Sequence, residues 1–284
     1  MAFVERECSV QRRHQKVIEE TPSTAVTPAV REALTAAARR VAEAVRYTNA
    51  GTIEFLLDEH GQFYFLEMNT RLQVEHPITE LVTGVDLVRW QIRLAQGDRL
   101  DLDPAALLRP NGHAIECRIY AEDPGRGFLP SPGRITHLDA PSGPGIREDR
   151  GVEAGSDVSI FYDSLLSKLI AWGTDRPMAL ARMRRALNEY DLRGVETTIP
   201  LFRWLLDERD FLDGRFDTTY LDRALASRQT ESFHDAPAPL AEDAAIAAAL
   251  HRMLQDERRA EAPAAGTAGG QGAWARQARV DALR

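Results

Sequence analysis

The run Thr52-Ile53-Glu54-Phe55-Leu56-Leu57-Asp58-Glu59-His60-Gly61-Gln62-Phe63-Tyr64-Phe65-Leu66-Glu67-Met68-Asn69-Thr70-Arg71-Leu72-Gln73-Val74-Glu75-His76-Pro77 decides the reading of this chain. Two strand-like stretches, residues 52–57 and 62–68, flank Asp58-Glu59-His60-Gly61, the pattern of a β-hairpin. With a four-residue loop, Leu57 faces Gln62 and Glu54 faces Phe65. Glu67 then falls two residues farther along on the face of Glu54, because strand side chains alternate. Diagonal neighbours of this kind lie about 7–8 Å apart at the backbone, so two carboxylates can converge on one cation. Asn69 continues that face and adds a neutral oxygen. Two acids and an amide oxygen suit Mg²⁺ or Mn²⁺, hard ions that also take waters and phosphates. The bland alternative is a solvated strand face carrying two unrelated acids.

Past the strand end, residues 67–77 pack acid, base and amide groups into eleven positions. Arg71 is placed to hold an anion through its planar fork, and Glu75 to take up a proton. Upstream, Thr27 and Pro28 open a helix as cap and first residue. Its apolar side is Val30, Leu34, Ala37, Val41 and Val45. Downstream, Asp86 caps a helix ending near Gln96, with Gly97 as its stop. From Asn111 the pattern changes to short strands between prolines and glycines. On the strand 114–120, Ile115, Cys117 and Ile119 turn inward, leaving Glu116 and Arg118 on the other face, where a plain surface pair is the bland reading. A helix over 176–188 has Met178, Leu180, Met183 and Leu187 as its apolar side, and a further helical piece contains Leu201, Trp204 and Leu205. The fold class is α+β, with units at 1–110 and 111–226. Residues 227–284 hold a helix from about 242 to 259 with Ile246, Leu250, Met253 and Leu254. An Ala/Gly/Pro linker follows, whose segment 266–272 lacks the strand and Lys-Ser/Thr helix of a phosphate loop.

The formal charge of −8 and pI near 5.5 argue against nucleic acid or a membrane surface as partner. An anionic substrate therefore needs a local positive cluster. Of 35 basic residues only Lys16 and Lys168 are lysines, which points to sites where a compact ammonium is required. The start of the chain shows no signal-peptide pattern, so the cytoplasm is the expected location. Cys8 and Cys117 form no CxxC pair and read as structural thiols.

The run 65–72 resembles the metal-binding signature of ATP-grasp enzymes of the biotin carboxylase and carbamoyl-phosphate synthetase group. Its continuation through Gln73-Val74-Glu75-His76-Pro77 narrows the resemblance to biotin-dependent carboxylases. Cys8-Ser9-Val10-Gln11-Arg12-Arg13-His14-Gln15-Lys16, residues 113–123 and residues 128–133 match the same family in the expected order. The resemblance covers about residues 1–226. It implies the C-terminal half of an ATP-grasp lobe followed by a biotin carboxylase C-terminal domain. The implied reaction is ATP-dependent carboxylation of biotin by bicarbonate through carboxyphosphate, a step of acyl-CoA carboxylation. By the resemblance, Glu54, Glu67 and Asn69 hold two Mg²⁺ or Mn²⁺ ions, and Gln11, His14 and Leu56 lie along ATP. Lys16 faces the terminal phosphate and bicarbonate, and Arg71, Gln73 and Val74 hold bicarbonate. Glu75 deprotonates it, and Arg118 stabilises the biotin enolate.

Implied partners are a biotin carboxyl carrier domain and a carboxyltransferase subunit. Family members often form a dimer contact at the region of Arg147, which makes a homodimer of the full-length protein an expectation, although Pro144 departs from the aromatic residue sometimes found there. Neither a Gly-rich flap nor an Ala-Met-Lys-Met biotin-attachment site occurs in the sequence. The chain is therefore expected to be a piece of such a subunit, inactive alone, with an exposed apolar seam. A pyruvate carboxylase-type subunit, another ATP-grasp ligase and a non-catalytic assembly module stand as alternatives. Lys168, His76 and His113 are weaker candidates, the histidines reading as structural.

Overall fold

A computed structural model describes residues 1–228, 233 and 243–253. β1 (Glu7–Arg12) and β2 (Gln15–Thr21) form a hairpin through Arg13 and His14, both at positive φ, 48° and 65°. Such a two-residue turn matches the natural twist of the strands. After α1 (Pro28–Ala44) come β3 (Thr52–Leu57), β4 (Phe63–Asn69), α2 (His76–Thr83) and α3 (Leu87–Ala95). The remainder contributes β5 (His113–Tyr120), β6 (Ile146–Arg150), β7 (Leu165–Gly173), α4 (Arg176–Glu189) and α5 (Ile199–Leu205). An antiparallel sheet in the order β1-β2-β5-β7-β6 draws strands from both sides of residue 110.

Both faces of this sheet are covered. On one, Ile18, Ile115, Cys117, Ile119 and Leu169 pack against Leu180, Met183 and Leu187 of α4 and Leu201 and Phe202 of α5. On the other, Ile78 and Val82 of α2 close over Ala114 and Ile170. β5 is therefore buried along its whole length, and the surface reading of Glu116 and Arg118 is corrected: Glu116 is 0% and Arg118 8% exposed. Period-two alternation cannot distinguish a strand half-covered from one sandwiched between two helical layers. On α4, Ala179 takes the inward position while Met178 is 39% exposed.

The β3–β4 hairpin also departs from the expected register. The connection is the three residues Glu59-His60-Gly61, closed by the Asp58 N–H donating to Gln62 O at 2.9 Å. Gly61 adopts φ +77°, the left-handed residue such a loop requires. Leu57 consequently pairs with Phe63 and Phe55 with Phe65. Leu66 is then the extra residue of a β-bulge, after which Glu54 pairs directly with Glu67 and Thr52 with Asn69. The two glutamates are cross-strand partners, closer than the diagonal expected.

Helix α1 begins as expected, Thr27 Oγ1 accepting from the Val30 N–H at 3.3 Å. None of its residues is buried. Val30 and Leu34 line a broad groove shared with the β3–β4 hairpin, and Val45 lies at the C-cap, 61% exposed. Leu56, Tyr64, Phe65 and Leu66 are each at least half exposed. With no buried face anchoring it, α1 depends on its cap. Thr27→Ala is expected to cost about 1 kcal/mol locally, seen as roughly fivefold faster hydrogen exchange of the first-turn amides.

Residues 243–253 are helical, with Ile246, Leu250 and Met253 exposed. Leu254 and the 261–272 linker lie outside the described residues. Among the described residues no helix is long and apolar enough to cross a membrane.

Candidate active site

Glu75 is the centre of the site. It occupies the N-cap position of α2 but makes no side-chain cap bond. Its carboxylate turns instead into a cluster of cations and is 2% exposed. Lys16 Nζ donates to Glu75 Oε1 at 2.9 Å, and Arg118 Nη2 donates to Glu75 Oε2 at 3.0 Å. Arg6 adds a third positive group, 3.9 Å from Oε1. Burial by itself would raise the Glu75 carboxyl, but Arg6 and Lys16 outweigh it and hold the group below its ordinary value. Glu75 is thus a carboxylate at neutral pH, the form in which it can accept a proton. For Lys16, burial would lower the ammonium, and Cys8, Glu75 and Glu54 outweigh it, so the charge persists.

Lys16 also joins this centre to the hairpin. Its Nζ donates to Glu54 Oε1 at 2.7 Å, the oxygen that also accepts from Gln73 Nε2 at 2.6 Å. Asn69 Nδ2 lies 3.2 Å from Glu54 Oε1 and 2.8 Å from Glu67 Oε1, so the three side chains meet at one point. Among the described residues no three His, Cys, Asp or Glu side chains group as a metal site. The hairpin set is two carboxylates and an amide whose rotation turns oxygen toward the same point. That donor set fits Mg²⁺ or Mn²⁺ completed by water and phosphate oxygens.

The turn after β4 supplies the anion-facing groups. Arg71 is exposed, and its guanidinium donates to Leu72 O at 3.2 Å. Gln73 is fixed at both ends of its amide, since Arg6 Nη2 donates to its Oε1 at 2.5 Å. Lys168 Nζ donates to the Val74 carbonyl at 3.1 Å and lies 3.3 Å from Asp149, which anchors the turn from β7. Both lysines of the chain therefore serve this cluster. Gln11 and Leu56 line the groove, Gln11 through an amide bonded to Cys8 O at 2.8 Å. His14 is exposed at the β1–β2 turn, apart from the Glu75 contacts.

His76 and His113 have internal partners: His76 Nδ1 meets Gln73 O at 2.9 Å, and His113 Nε2 meets Glu20 Oε2 at 2.7 Å. Arg147 bonds within the chain to Glu80 at 2.7 Å and to Asp149. Sequence reading missed Arg6 and Glu19. Arg6 ties Thr52, Gln73 and Thr79 together, and Glu19 accepts from Arg118 Nε at 2.6 Å. The available signal for Glu19 was an acid inside the strand pattern Val17-Ile18-Glu19, where burial of an acid demands a partner.

Two family profiles match the chain in series. The carbamoyl-phosphate synthase L chain ATP binding domain covers residues 1–103, and the biotin carboxylase C-terminal domain covers residues 116–223. A pyruvate carboxylase subunit of Methanothermobacter thermautotrophicus is 53% identical over 220 residues, 78% of this chain and 44% of that protein. Biotin carboxylase of Nostoc sp. is 53% identical over 218 residues, 76% of this chain and 48% of that protein. Among solved structures, the biotin carboxylase domain dimer of Hydrogenobacter thermophilus 2-oxoglutarate carboxylase, in complex with MgADP, ADP and bicarbonate, aligns with a TM-score of 0.77. It is 46% identical and covers 82% of this chain and 50% of its own. The chain spans about half the length of these relatives. Two profiles in the family's order, and a fold shared at close to half identity, make the chain a member of the biotin carboxylase family of ATP-grasp proteins.

Proposed function

We propose that this chain supplies the metal-, bicarbonate- and biotin-facing part of a biotin carboxylase, which carboxylates carrier-borne biotin using ATP and bicarbonate. The observation that carries the reading is the convergence of Lys16 and Arg118 on the two oxygens of one buried carboxylate, Glu75. Residues 1–110 hold the phosphate and bicarbonate chemistry, and residues 111–226 bring Arg118 to it.

Mg²⁺ or Mn²⁺ held by Glu54, Glu67 and Asn69 supplies charge neutralisation on the ATP phosphates. Gln11, His14 and Leu56 lie along the nucleotide. Arg71, Gln73 and the Val74 backbone orient bicarbonate, and Glu75 takes its proton. A bicarbonate oxygen then bonds to the γ-phosphorus as the bond to ADP breaks, with Lys16 countering the charge on the transferring group. The carboxyphosphate so formed releases CO₂ and phosphate, and phosphate removes the biotin N1 proton. Arg118 stabilises the resulting enolate, which attacks CO₂. The enolate needs a fixed donor, and one well-placed group at such an oxyanion is worth about 3–4 kcal/mol.

A carboxyltransferase partner passes the carboxyl group to the final acceptor. An acyl-CoA is the reading proposed. The identity to a pyruvate carboxylase subunit favours pyruvate as the second.

A chimera in which residues 1–226 replace the matching stretch of the Nostoc biotin carboxylase tests the activity. The expected result is ATP cleavage that depends on both free biotin and bicarbonate. A folded chimera that binds MgATP but shows no biotin-dependent cleavage overturns the reading.

A further inference from the structure

Beneath the Glu75 cluster lies a second carboxylate pair that the chemistry above leaves unused. Glu19 on β2 and Glu116 on β5 are direct cross-strand partners. Both are 0% exposed. Glu19 Oε1 holds Arg118, which donates through Nε at 2.6 Å and whose Nη2 lies 2.5 Å away. Its other oxygen, Oε2, has no donor among the described residues, and neither do Oε1 and Oε2 of Glu116. Orphaned acceptors buried side by side are costly, because an ionised carboxylate can only accept. Cross-strand partners bring their Cβ atoms to about 5 Å, within reach of a carboxyl-to-carboxylate hydrogen bond. One proton shared between the two acids gives both a partner.

We infer that Glu19 and Glu116 hold a single proton between them, and that this pair is the fixed support that positions Arg118 against Glu75. The pair then carries one negative charge. Arg118 bridges it to Glu75, so the guanidinium is gripped from two sides and its plane is set before substrate arrives. Glu19 and Glu116 act through Arg118, as positioning residues. Charged groups facing the pair are Arg118 on β5, Lys168 on β7 and Glu75 at the head of α2, with Lys16 acting on Glu19. The electrostatics agree in direction. Burial raises Glu116 well above its ordinary value, with Glu19 adding to the effect. Burial likewise lifts Glu19 to about 7, although Arg118 pulls the other way.

The role of Arg118 rests on the proposed function, whereas the shared proton does not, and the test separates them. A buried protonated carboxyl gives an infrared carbonyl band, which the unmodified chain is expected to show at neutral pH. Glu116→Gln should abolish the band, and Glu116→Asp should shift it. Because the native pair holds a proton that the unfolded chain has lost, the pair's contribution to stability is full below about pH 4.5 and falls as pH rises toward 7. One proton corresponds to about a tenfold drop in the folding equilibrium constant per pH unit. Urea unfolding of the wild-type chain should show that slope in excess of the Glu116→Gln chain, which has no such proton. Absence of the band, or parallel pH dependences, overturns the shared proton, and the band on the unmodified chain decides this even where a variant does not fold.

In the chimera, Glu19→Gln should lower kcat for biotin-dependent cleavage on the order of 10²-fold, with KM for MgATP unchanged. Glu19→Asp should recover part of the loss. An unchanged kcat overturns the positioning role. A parent chimera without biotin-dependent cleavage defeats the functional reading while the infrared and unfolding results stand.

Discussion

Arg118→Met is expected to lower the unfolding free energy of the chain by about 3–5 kcal/mol, the usual consequence of leaving buried carboxylates without their cation. Arg118 touches Glu19 at 2.6 Å and Glu75 at 3.0 Å, both acids being almost fully buried. Methionine fills a similar volume and returns neither charge nor donor. Against a typical total of about 5–15 kcal/mol, the loss is a large share of what holds a domain folded. The effect carries a pH signature. Glu75 is held below its ordinary value in the native chain, so the stability it contributes is present above pH 4.5 and is lost as pH falls below that. Part of that contribution comes through Arg118, so the variant has less to lose on the acid side. Urea unfolding at neutral pH and well below pH 4.5 should show the gap between the two chains narrowing on acidification. A penalty under 1 kcal/mol at neutral pH would mean that water reaches Glu19 and Glu75 in solution.

Glu75→Gln in the chimera is expected to reduce biotin-dependent ATP cleavage by about 10²–10⁴-fold, the range for removing a general base. The amide preserves shape and can still accept from Lys16 or Arg118 through its oxygen. It cannot take the bicarbonate proton. Nucleotide affinity should change little, because Glu54, Glu67 and Asn69 are untouched, so kcat should fall while KM for MgATP holds. Lys16 offers a control, since it contacts both Glu54 and Glu75. Lys16→Met should lower kcat and weaken MgATP binding together. A Glu75→Gln chimera with near-normal turnover would remove Glu75 from the proton step.

Much of the fold was legible in local signals. Thr27-Pro28, Asp86 and the alternation around the Asp58–Gly61 turn each name their element, because caps and turns are satisfied by residues within a few positions. Within the irregular run 67–77, Glu67 joins Glu54 through Asn69, Gln73 reaches Glu54, and Glu75 joins it through Lys16, whereas Arg71 is exposed and donates to the Leu72 carbonyl. The register of the hairpin was not legible. Whether Leu66 is paired or bulged depends on a one-residue choice that either side-chain pattern tolerates. Nor did alternation reveal that α2 covers the second face of β5.

By itself, then, the sequence determined α1, α3, α4 and α5, the β3–β4 hairpin, the family signature and the identity of the acids, amides and lysines at the candidate site. Those features rest on contacts between near neighbours along the chain. The tertiary structure alone decided which charges neutralise which. Glu75 meets Lys16 across 59 positions and Arg118 across 43, and Glu19 meets Arg118 across 99. No periodicity encodes pairings at that range. They follow from the order in which β2, β5 and β7 lie side by side, and a buried acid takes whatever cation that order brings within reach.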